Sequence, residues 1–305
     1  MEGVPGRLRG GLLAPREILE MSAEEADRLL DRLEAEVPVA PGLLDIPSPP
    51  TGSLIVFGDT HGDWPSTVAA TAGFLADPGA HCLLGLGDYV DRPPEDCPHG
   101  SVANALYLLA LRAAYPDRVF LLQGNHETVR RVPVVPHELP EEVDDLWGPD
   151  PERYYRLVAL LERGSFAART ESGVYLAHAG FPQRSQEATA RSLFETPTEG
   201  TILDVVWRDA DASRWDRRLS PPFGAASLEP FLRSIDSRFF LRGHDPDLTG
   251  RWLYGDRCLT LHTTRVFESY GGVLRAVVPL EGTVRSAGEI RIEHLPTEGA
   301  SFPER

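Results

Sequence analysis

An aspartate and a histidine lie two positions apart in a glycine-flanked segment of this chain. Residues Gly58–Asp63 read GDTHGD and follow the short apolar run Leu54–Phe57. A carboxylate and an imidazole at this spacing can converge on one cation if the backbone curls, and the neighbouring glycines allow that curl. Oxygen and nitrogen ligands without a thiolate suit manganese, iron, zinc or magnesium. The segment therefore predicts a metal-binding turn at the end of a strand.

Similar glycine-containing segments with metal-ligand residue types occur four more times. They are Gly87–Arg92 (GDYVDR), Gly124–Glu127 (GNHE), His178–Gly180 (HAG) and Arg242–His244 (RGH). Each of them follows a short apolar run of the kind that forms a buried strand. Ligands bind beyond the carboxyl ends of the strands in open α/β sheets. We therefore expect the five segments to meet in one metal site.

The elements that must position these segments alternate between strand-like and helix-like patterns from Ser53 to Gly180. The helix-like patterns span Pro65–Asp77, Ser101–Tyr115 and Glu152–Arg163. Such alternation predicts βαβ units and a largely parallel sheet. Later strand-like patterns predict a second sheet packed on the first. These later patterns span Phe239–Arg242, Arg251–Tyr254, Arg257–His262, Val273–Pro279 and Thr283–Ile292.

The chain before the first metal-binding segment predicts a helix and a connector. Ser22–Glu25 fits a capping box, and apolar residues at helical spacing follow it as far as Val37. Five prolines then occur between Pro38 and Pro50, which predicts an extended connector without regular structure. Between Val132 and Pro151 the chain is rich in proline and acidic residues, and here we expect a long loop that overhangs the site.

Three segments make up the expected domain organisation. Residues 1–50 form the N-terminal helix and connector, which pack on the core. Residues 51–295 form one catalytic domain, since a chain of 305 residues can bury a sizeable core as one unit. The polar residues 296–305 form a frayed tail.

Composition excludes several classes of function. The net charge of −16 opposes binding to nucleic acid or to an anionic membrane. No apolar run reaches the roughly 20 residues that a membrane-spanning helix needs, and no signal peptide is evident, so we expect a cytoplasmic protein. The three cysteines are scattered, which argues against a disulfide framework and a structural zinc site. All 30 basic residues are arginine, so any cationic contact to phosphate must be an arginine contact.

Taken in order, the five motifs resemble those of the calcineurin-like metallophosphoesterases. More narrowly, they are similar to the phosphoprotein phosphatase family of serine/threonine phosphatases, over the region from Leu54 to Gly272. The resemblance implies an α/β fold of two packed mixed β-sheets flanked by helices, with a dinuclear metal site at the carboxyl ends of strands. It also implies hydrolysis of phosphoserine and phosphothreonine in a phosphoprotein or phosphopeptide, by attack of a water or hydroxide that bridges the metals.

The resemblance assigns six residues to two divalent metal ions, for which manganese is favoured over iron, zinc and magnesium. The ligands of the first ion would be Asp59, His61 and Asp88. The ligands of the second ion would be Asp88, which bridges the two, together with Asn125, His178 and His244.

Four more residues acquire roles from the same resemblance. His126 would be the general acid that protonates the leaving alkoxide, and Asp91 would orient its imidazole. Arg92 and Arg217 would hold the phosphate oxygens. Arg217 is placed by the pair Asp216-Arg217 ahead of Phe223-Gly224, and the adjacent Arg218 competes with it for this role.

The chain departs from the family pattern in two places. Pro93-Pro94 follow GDYVDR where the family usually has glycine, and Thr263–Phe267 stands where the family has Pro-Asn-Tyr. The first departure predicts a changed substrate groove beside Arg92, and the second predicts a changed surface for the inhibitor toxins of the eukaryotic enzymes, with the metal core intact. The remaining histidines lie outside the motifs and are interpreted as structural or exposed, except that one of them could line the pocket from a strand end. They are His81, His99, His137, His294 and the strand-end His262.

Three alternatives are weighed against the phosphoprotein phosphatase. The first, a nucleotide polyphosphate hydrolase similar to the symmetrical diadenosine tetraphosphatases, typically shows GNHD, whereas Glu127 stands here. The second, a cyclic-nucleotide or phospholipid phosphodiesterase, would show GHxH, whereas Asp245-Pro246 follow His244. The third, a pseudophosphatase that binds without turnover, would lack a metal ligand, and none is missing.

Overall fold

Two β-sheets form the centre of the molecule in a computed structural model that describes residues 13–48, 52–183, 191–215 and 217–296. No helix in this part of the chain is both long and apolar enough to cross a membrane. The strands are β1 (Leu43–Ile46), β2 (Ser53–Phe57), β3 (His81–Gly85), β4 (Val119–Leu121), β5 (Ala167–Thr170), β6 (Val174–Ala177), β7 (Phe239–Arg242), β8 (Trp252–Leu253), β9 (Cys258–Thr260), β10 (Leu274–Pro279) and β11 (Arg291–His294).

Both sheets are mixed, as the resemblance implies. The first has the order β11-β10-β2-β3-β4, in which β2, β3 and β4 are parallel and the other two are antiparallel to their neighbours. The second has the order β1-β5-β6-β7-β9-β8, in which β6, β7 and β9 are parallel. The prediction that all strands after residue 239 form their own sheet is wrong. Strands β7, β8 and β9 extend the second sheet, whereas β10 pairs with β2 of the first.

Helices cover the outer face of each sheet. They are α1 (Pro15–Leu19), α2 (Ala23–Glu36), α3 (Trp64–Ala76), α4 (Gly100–Ala114), α5 (Leu139–Trp147), α6 (Pro151–Leu161), α7 (Ser192–Glu195), α8 (Glu199–Val206), α9 (Ala225–Ser234) and α10 (Glu268–Gly271). The predictions of α3, α4 and α6 are confirmed to within two residues at each end.

Side chains of β2 show how the layers are made. Leu54 and Val56 belong to an apolar cluster shared by the two sheets, whereas Ile55 and Phe57 belong to a cluster shared with the helices. Successive residues of a strand point to opposite faces, so a continuous apolar run indicates burial on both sides. The strands therefore lie between two apolar layers, and only their ends are open to polar chemistry.

Helix α5 forms in the second half of the segment that was expected to be a loop. Leu139, Val143 and Trp147 lie four residues apart and are buried on one face of this helix. Pro140 lies in the first turn, where its missing N–H leaves no hydrogen bond unmade. The sequence did not reveal this helix because prolines dominate the composition of the segment before it. A helix of nine residues also has too few turns to show a clear apolar period.

Strand β1 lies within the segment that was expected to be an irregular connector. It pairs in parallel with β5, and Leu43 lies opposite Ala167. Pro41 and Pro47 lie just outside the strand, so every amide within it remains available for pairing. Residues 49–51 of the connector lie outside the described residues.

The chain beyond residue 283 also differs from expectation. Of the strand predicted over Thr283–Ile292, only the last two residues belong to β11, and Ala287–Glu289 forms a 3-10 turn. The tail predicted to fray lies outside the described residues from residue 297 onward.

Helix α2 forms as predicted and packs on the core. Ser22 Oγ accepts a hydrogen bond from the Glu25 N–H at 3.3 Å, and the Glu25 carboxylate accepts one from the Ser22 N–H at 2.8 Å. This is the predicted capping box. The buried face of the helix joins the same apolar cluster as α4, α5 and α6, and its residues are Ala26, Leu29, Leu30 and Leu33.

Two valines that flank Pro38 allow a matched test of this packing. Val37 is 5% exposed at the end of α2, whereas Val39 is 77% exposed. Val37→Ala is expected to lower the free energy of unfolding by about 2 kcal/mol, because it removes buried methyl groups and leaves a cavity. Val39→Ala is expected to change it by less than about 0.5 kcal/mol. Chemical denaturation measures both, and equal effects would show that the helix does not pack on the core.

Candidate active site

The five motif segments meet at one edge of the two sheets. They lie at the carboxyl ends of β2, β3, β4, β6 and β7, beside a cavity of about 50 Å³ that opens to solvent. That volume holds one or two particles the size of water or a metal ion. The cavity is lined by Asp59, His61, Asp88, Arg92, Asn125, Trp207, Arg217, His244, Pro246 and Phe267.

Left-handed backbone conformations are concentrated at this edge. Residues other than glycine rarely have a positive φ, and each such residue costs on the order of 1–3 kcal/mol. Strain of this kind clusters at functional sites, where the surrounding structure enforces it. The candidate site residues with a positive φ are His61 (44°), Asp88 (54°), Asp91 (64°), Arg92 (54°) and His244 (72°).

Four side chains bring potential ligand atoms together around one point. His178 Nε2 lies 2.9 Å from Asn125 Oδ1, 3.2 Å from His244 Nδ1 and 3.4 Å from Asp88 Oδ2. His178 Nδ1 faces the carbonyl oxygen of Leu86 at 3.2 Å, so the proton lies on Nδ1 and Nε2 keeps its lone pair. Neighbouring ligands of a metal ion bonded at about 2.1 Å lie about 3.0–3.4 Å apart. The separations therefore match the edges of a coordination polyhedron.

A second position lies beside His61 and Asp88, and Asp59 lines the same cavity. His61 Nδ1 faces the Val90 carbonyl oxygen at 3.0 Å, which directs its Nε2 toward Asp88 Oδ2 at 3.8 Å. The Asp59 carboxylate accepts the backbone N–H of His244 at 3.1 Å. Asp88 belongs to both groups of possible ligands, so the residues around this cavity fit a dinuclear metal site.

Burial sets the protonation states that such a centre needs. It lowers the pKa of His61 to about 3 and that of His178 to about 4, and it holds the pKa of His244 well below its usual value. These imidazoles are therefore neutral near pH 7, which is the form that binds metal. Burial, with the charges of Asp59 and Glu127, raises the pKa of Asp88, because carboxylates confined together disfavour the charged form.

His126 and Asp91 form a fully buried pair beside the cavity. His126 Nδ1 lies 2.6 Å from Asp91 Oδ2, and His126 Nε2 has no hydrogen-bond partner in the described part of the chain. The other oxygen, Asp91 Oδ1, accepts the N–H groups of Glu138 and Leu139 at 2.7 and 3.0 Å. Asp91 thus orients the imidazole and leaves Nε2 free to exchange a proton with a bound molecule.

His137 also contacts Asp91. From the sequence, His137 was expected to be structural or exposed. Its Nδ1 lies 3.0 Å from Asp91 Oδ2, and its Nε2 lies 2.9 Å from the Tyr154 hydroxyl. Burial would raise the pKa of Asp91, but hydrogen bonds from His126 and His137 lower it below its usual value. No motif could have revealed this contact, because His137 precedes a helix that was itself missed.

Glu127 ties together the loops after β3 and β4. Its carboxylate accepts the backbone N–H groups of Asp88, Tyr89 and Gly124 at 2.7, 2.8 and 2.8 Å. From the sequence alone, Glu127 only distinguished the phosphoprotein phosphatases from the diadenosine tetraphosphatases. The structure shows that it holds the backbone that carries Asp88.

The two predicted phosphate-binding arginines both line the cavity, whereas Arg218 does not. Among the described residues the guanidinium of Arg92 has no carboxylate partner, and its one hydrogen bond there is donated to the Val135 carbonyl oxygen at 3.5 Å. Arg217 forms ion pairs with Asp209 and, at 3.1 Å, with Asp245. Asp216, used to place Arg217, lies outside the described residues. Arg92 is therefore the less constrained of the two cations.

The loop that departs from the family pattern is anchored by Arg265. Its guanidinium pairs with Asp63 at 3.0 Å and with Asp96 at 2.6 Å. Asp63 also begins α3, where its side chain accepts the N–H of Ser66 at 3.4 Å. The anchored loop places the ring of Phe267 edge-on against His61, with 5.6 Å between ring centroids. An arginine anchor and a phenylalanine thus occupy the region where the family pattern has Pro-Asn-Tyr.

Glu142 of α5 connects that helix to the turn that carries Asp91. It accepts the N–H of Ser101 at 2.9 Å and the Ser101 hydroxyl at 2.6 Å, at the first turn of α4. The Ser101 oxygen in turn accepts the N–H of Asp91 at 2.9 Å. The helix that the sequence did not reveal therefore supports the Asp91–His126 pair.

This buried acid generates a pH-dependence of stability. Burial raises the pKa of Glu142 from 4.5 to about 7. The folded protein then binds more protons than the unfolded chain between these values, so Glu142 makes stability fall as pH rises from about 4.5 to about 7. In Glu142→Gln the decrease in the free energy of unfolding over this pH range should be smaller by on the order of 3 kcal/mol. Urea unfolding across that pH range tests this, and parallel curves for the two proteins would contradict it.

Comparison with known proteins agrees with this geometry. Residues 52–248 match the family model described as calcineurin-like phosphoesterase. A serine/threonine-protein phosphatase, PP2A-like PPG1 of Candida albicans (strain SC5314 / ATCC MYA-2876), is 27% identical over 248 residues. The match covers 78% of this chain and 57% of that protein, so the chain spans little more than half the length of this curated relative.

Solved structures show the same architecture. A protein serine/threonine phosphatase from Saccharomyces cerevisiae, with similarity to human phosphatase PP5, matches with a TM-score of 0.67 and 22% identity, over 97% of this chain and 93% of that chain. A cold-active protein-tyrosine phosphatase of a psychrophile, Shewanella sp., matches with a TM-score of 0.54 and 15% identity, over 80% and 78% of the two chains. At such identities the likeness shows a shared fold and leaves the substrate to be argued from the site.

Proposed function

Because this chain belongs to the calcineurin-like phosphoesterase family, we propose that it is a metal-dependent phosphatase that removes phosphate from phosphoserine and phosphothreonine in proteins. The observation that carries the proposal is the cluster of ligand atoms 2.9–3.4 Å apart beside the buried His126–Asp91 pair. The similarity to a serine/threonine-protein phosphatase over 78% of the chain supports the choice of substrate.

Six residues hold two divalent metal ions in this proposal, with manganese favoured over iron, zinc and magnesium. Bound there, the ions supply positive charge to the phosphoryl oxygens and lower the pKa of a water molecule. The ligands are two carboxylates, three imidazoles and one amide oxygen, a set that suits these metals. They are Asp59, His61, Asp88, Asn125, His178 and His244.

The arginines orient the phosphoryl group. A guanidinium presents a fork of N–H donors that matches two phosphate oxygens. Arg92 can reach phosphate at little cost, because it has no carboxylate partner to leave within the part of the chain that the structure describes. Arg217 is held in place by Asp209 and Asp245, so it offers a fixed direction of approach.

His126 donates a proton to the leaving oxygen of the serine or threonine. Burial lowers the pKa of His126, and the nearby Asp91 carboxylate opposes this effect. A phosphate dianion in the cavity opposes it further, which favours the protonated acid in the substrate complex. Asp91, braced by two backbone N–H groups and by His137, keeps the imidazole from rotating away.

Substrate and metal dependence are tested together in one assay. Chelator-treated protein is expected to lose turnover, and added manganese is expected to restore it, because the ligand atoms cannot polarise phosphate by themselves. The reconstituted protein is then given phosphoserine, phosphothreonine and phosphotyrosine peptides beside diadenosine tetraphosphate. Preferred hydrolysis of the first two supports the proposal. Turnover that resists chelation, or preferred cleavage of the dinucleotide, would overturn the metal requirement or the substrate class respectively.

The general-acid role is tested by the leaving group. His126→Asn is expected to slow turnover of phosphoserine peptides by about 10²- to 10⁴-fold, because an alkoxide must be protonated as it leaves. Turnover of p-nitrophenyl phosphate should fall by less than about tenfold, since nitrophenolate leaves without a proton. His294→Asn, on the exposed edge strand β11, is the matched control and should leave both rates unchanged. Equal losses on the two substrates would argue against proton donation by His126.

A further inference from the structure

His262 lies beside Asp59 of the candidate metal centre, although no motif contains it. It follows β9 by two residues, its side chain is fully buried, and its backbone pairs in parallel with Asp59 across the two sheets. The sequence alone did not decide whether His262 lines the pocket or is a structural or exposed residue. The structure places it at the same edge as the five motif segments.

A threonine fixes the tautomer of this histidine. His262 Nδ1 lies 2.9 Å from the Thr249 hydroxyl oxygen. That hydroxyl already donates its hydrogen to the Pro246 carbonyl oxygen at 2.7 Å, so toward His262 it can only accept. The proton of the neutral imidazole therefore lies on Nδ1, and Nε2 keeps its lone pair.

The free nitrogen faces a carboxylate. His262 Nε2 lies 3.3 Å from Asp59 Oδ2 and has no hydrogen-bond partner within the described ranges. Two buried acceptors at this distance repel each other unless a proton or a metal cation lies between them. The separation falls within the range of about 3.0–3.4 Å expected for neighbouring ligands of one metal ion.

Two further contacts fit a metal ligand. Metal-bound histidines usually donate their second ring N–H to a fixed acceptor, as His262 does to Thr249. The ring of Phe267 packs edge-on against both His61 and His262, with centroid separations of 5.6 and 5.4 Å. One side chain thus restrains both imidazoles beside Asp59.

We propose that His262 is a further protein ligand of the metal ion that binds to Asp59, an inference that rests on the proposed function and adds a residue to its metal centre. This ion then has four protein ligands, namely Asp59, His61, Asp88 and His262. Two imidazoles favour a metal that accepts nitrogen, such as zinc, iron or manganese, over magnesium. The added ligand also leaves one fewer coordination position for solvent at this ion.

The first test needs no substitution. The full chain is labelled with ¹⁵N-histidine and loaded with ¹¹³Cd, and nuclear magnetic resonance then counts the imidazole nitrogens coupled to cadmium. Four coupled histidines are expected, His262 among them. Coupling to His61, His178 and His244 alone would overturn this inference and leave the proposed function standing. Coupling to no histidine would overturn both.

A matched pair of variants gives a second readout. His262→Gln is expected to weaken the binding of one of two manganese ions by at least about tenfold, as measured by isothermal titration, because an imidazole ligand is lost. The other ion, held by Asn125, His178 and His244, should bind as in the wild type. His81→Gln, at the far end of β3, is the control and should bind both ions normally. Unchanged affinities in His262→Gln would show that His262 is only a buried partner of Asp59.

Discussion

Buried negative charge is the constraint on which the rest of the structure depends. Asp59, Asp88, Asp91 and Glu127 all lie at one edge of the sheets, and none is more than 2% exposed. A buried carboxylate without compensation costs several kcal/mol, so each one needs hydrogen-bond donors or a cation. Asp91 and Glu127 obtain donors from backbone N–H groups, and Asp91 also obtains them from two imidazoles. Asp59 and Asp88 accept the backbone N–H groups of His244 and His126 and otherwise border the neutral imidazoles, which leaves a place for metal ions.

Glycine makes this arrangement possible, because the carboxylates lie directly against neighbouring backbone. A Cβ atom at Gly243 would lie 2.0 Å from Asp59 Oδ1, and one at Gly124 would lie 2.2 Å from Asp88 Oδ1. Both distances are far shorter than any real contact, so no larger residue fits at either position. Gly243 of the RGH motif therefore leaves room for the carboxylate of Asp59, and Gly124 of the GNHE motif leaves room for that of Asp88. Each glycine lies far along the chain from the carboxylate that it accommodates.

Different parts of the fold support the two halves of the proposed chemistry. The metal ligands come from the ends of strands in both sheets, where the backbone is rigid and partly strained. The proposed proton donor, His126, depends on α5 and the residues just before it, because they support Asp91. His137 and the backbone N–H of Glu138 contact Asp91 directly, and Glu142 supports it through Ser101. This support lies outside the shared motifs.

The sequence by itself determined the ends of the central strands and the residues delivered there. Glycines beside Asp, His and Asn mark turns after short apolar runs, and those turns are local. It also determined α2, α3, α4 and α6, because these helices have a recognisable capping box or enough turns to show a helical period. Only the tertiary structure decided which sheet each late strand joins, where α5 and β1 form, and which side chains meet at the site. The contact between His244 and Asp59 spans 185 residues, and His262 reaches the same carboxylate from another sheet. Such contacts depend on how two sheets pack face to face, which no local pattern of residues encodes.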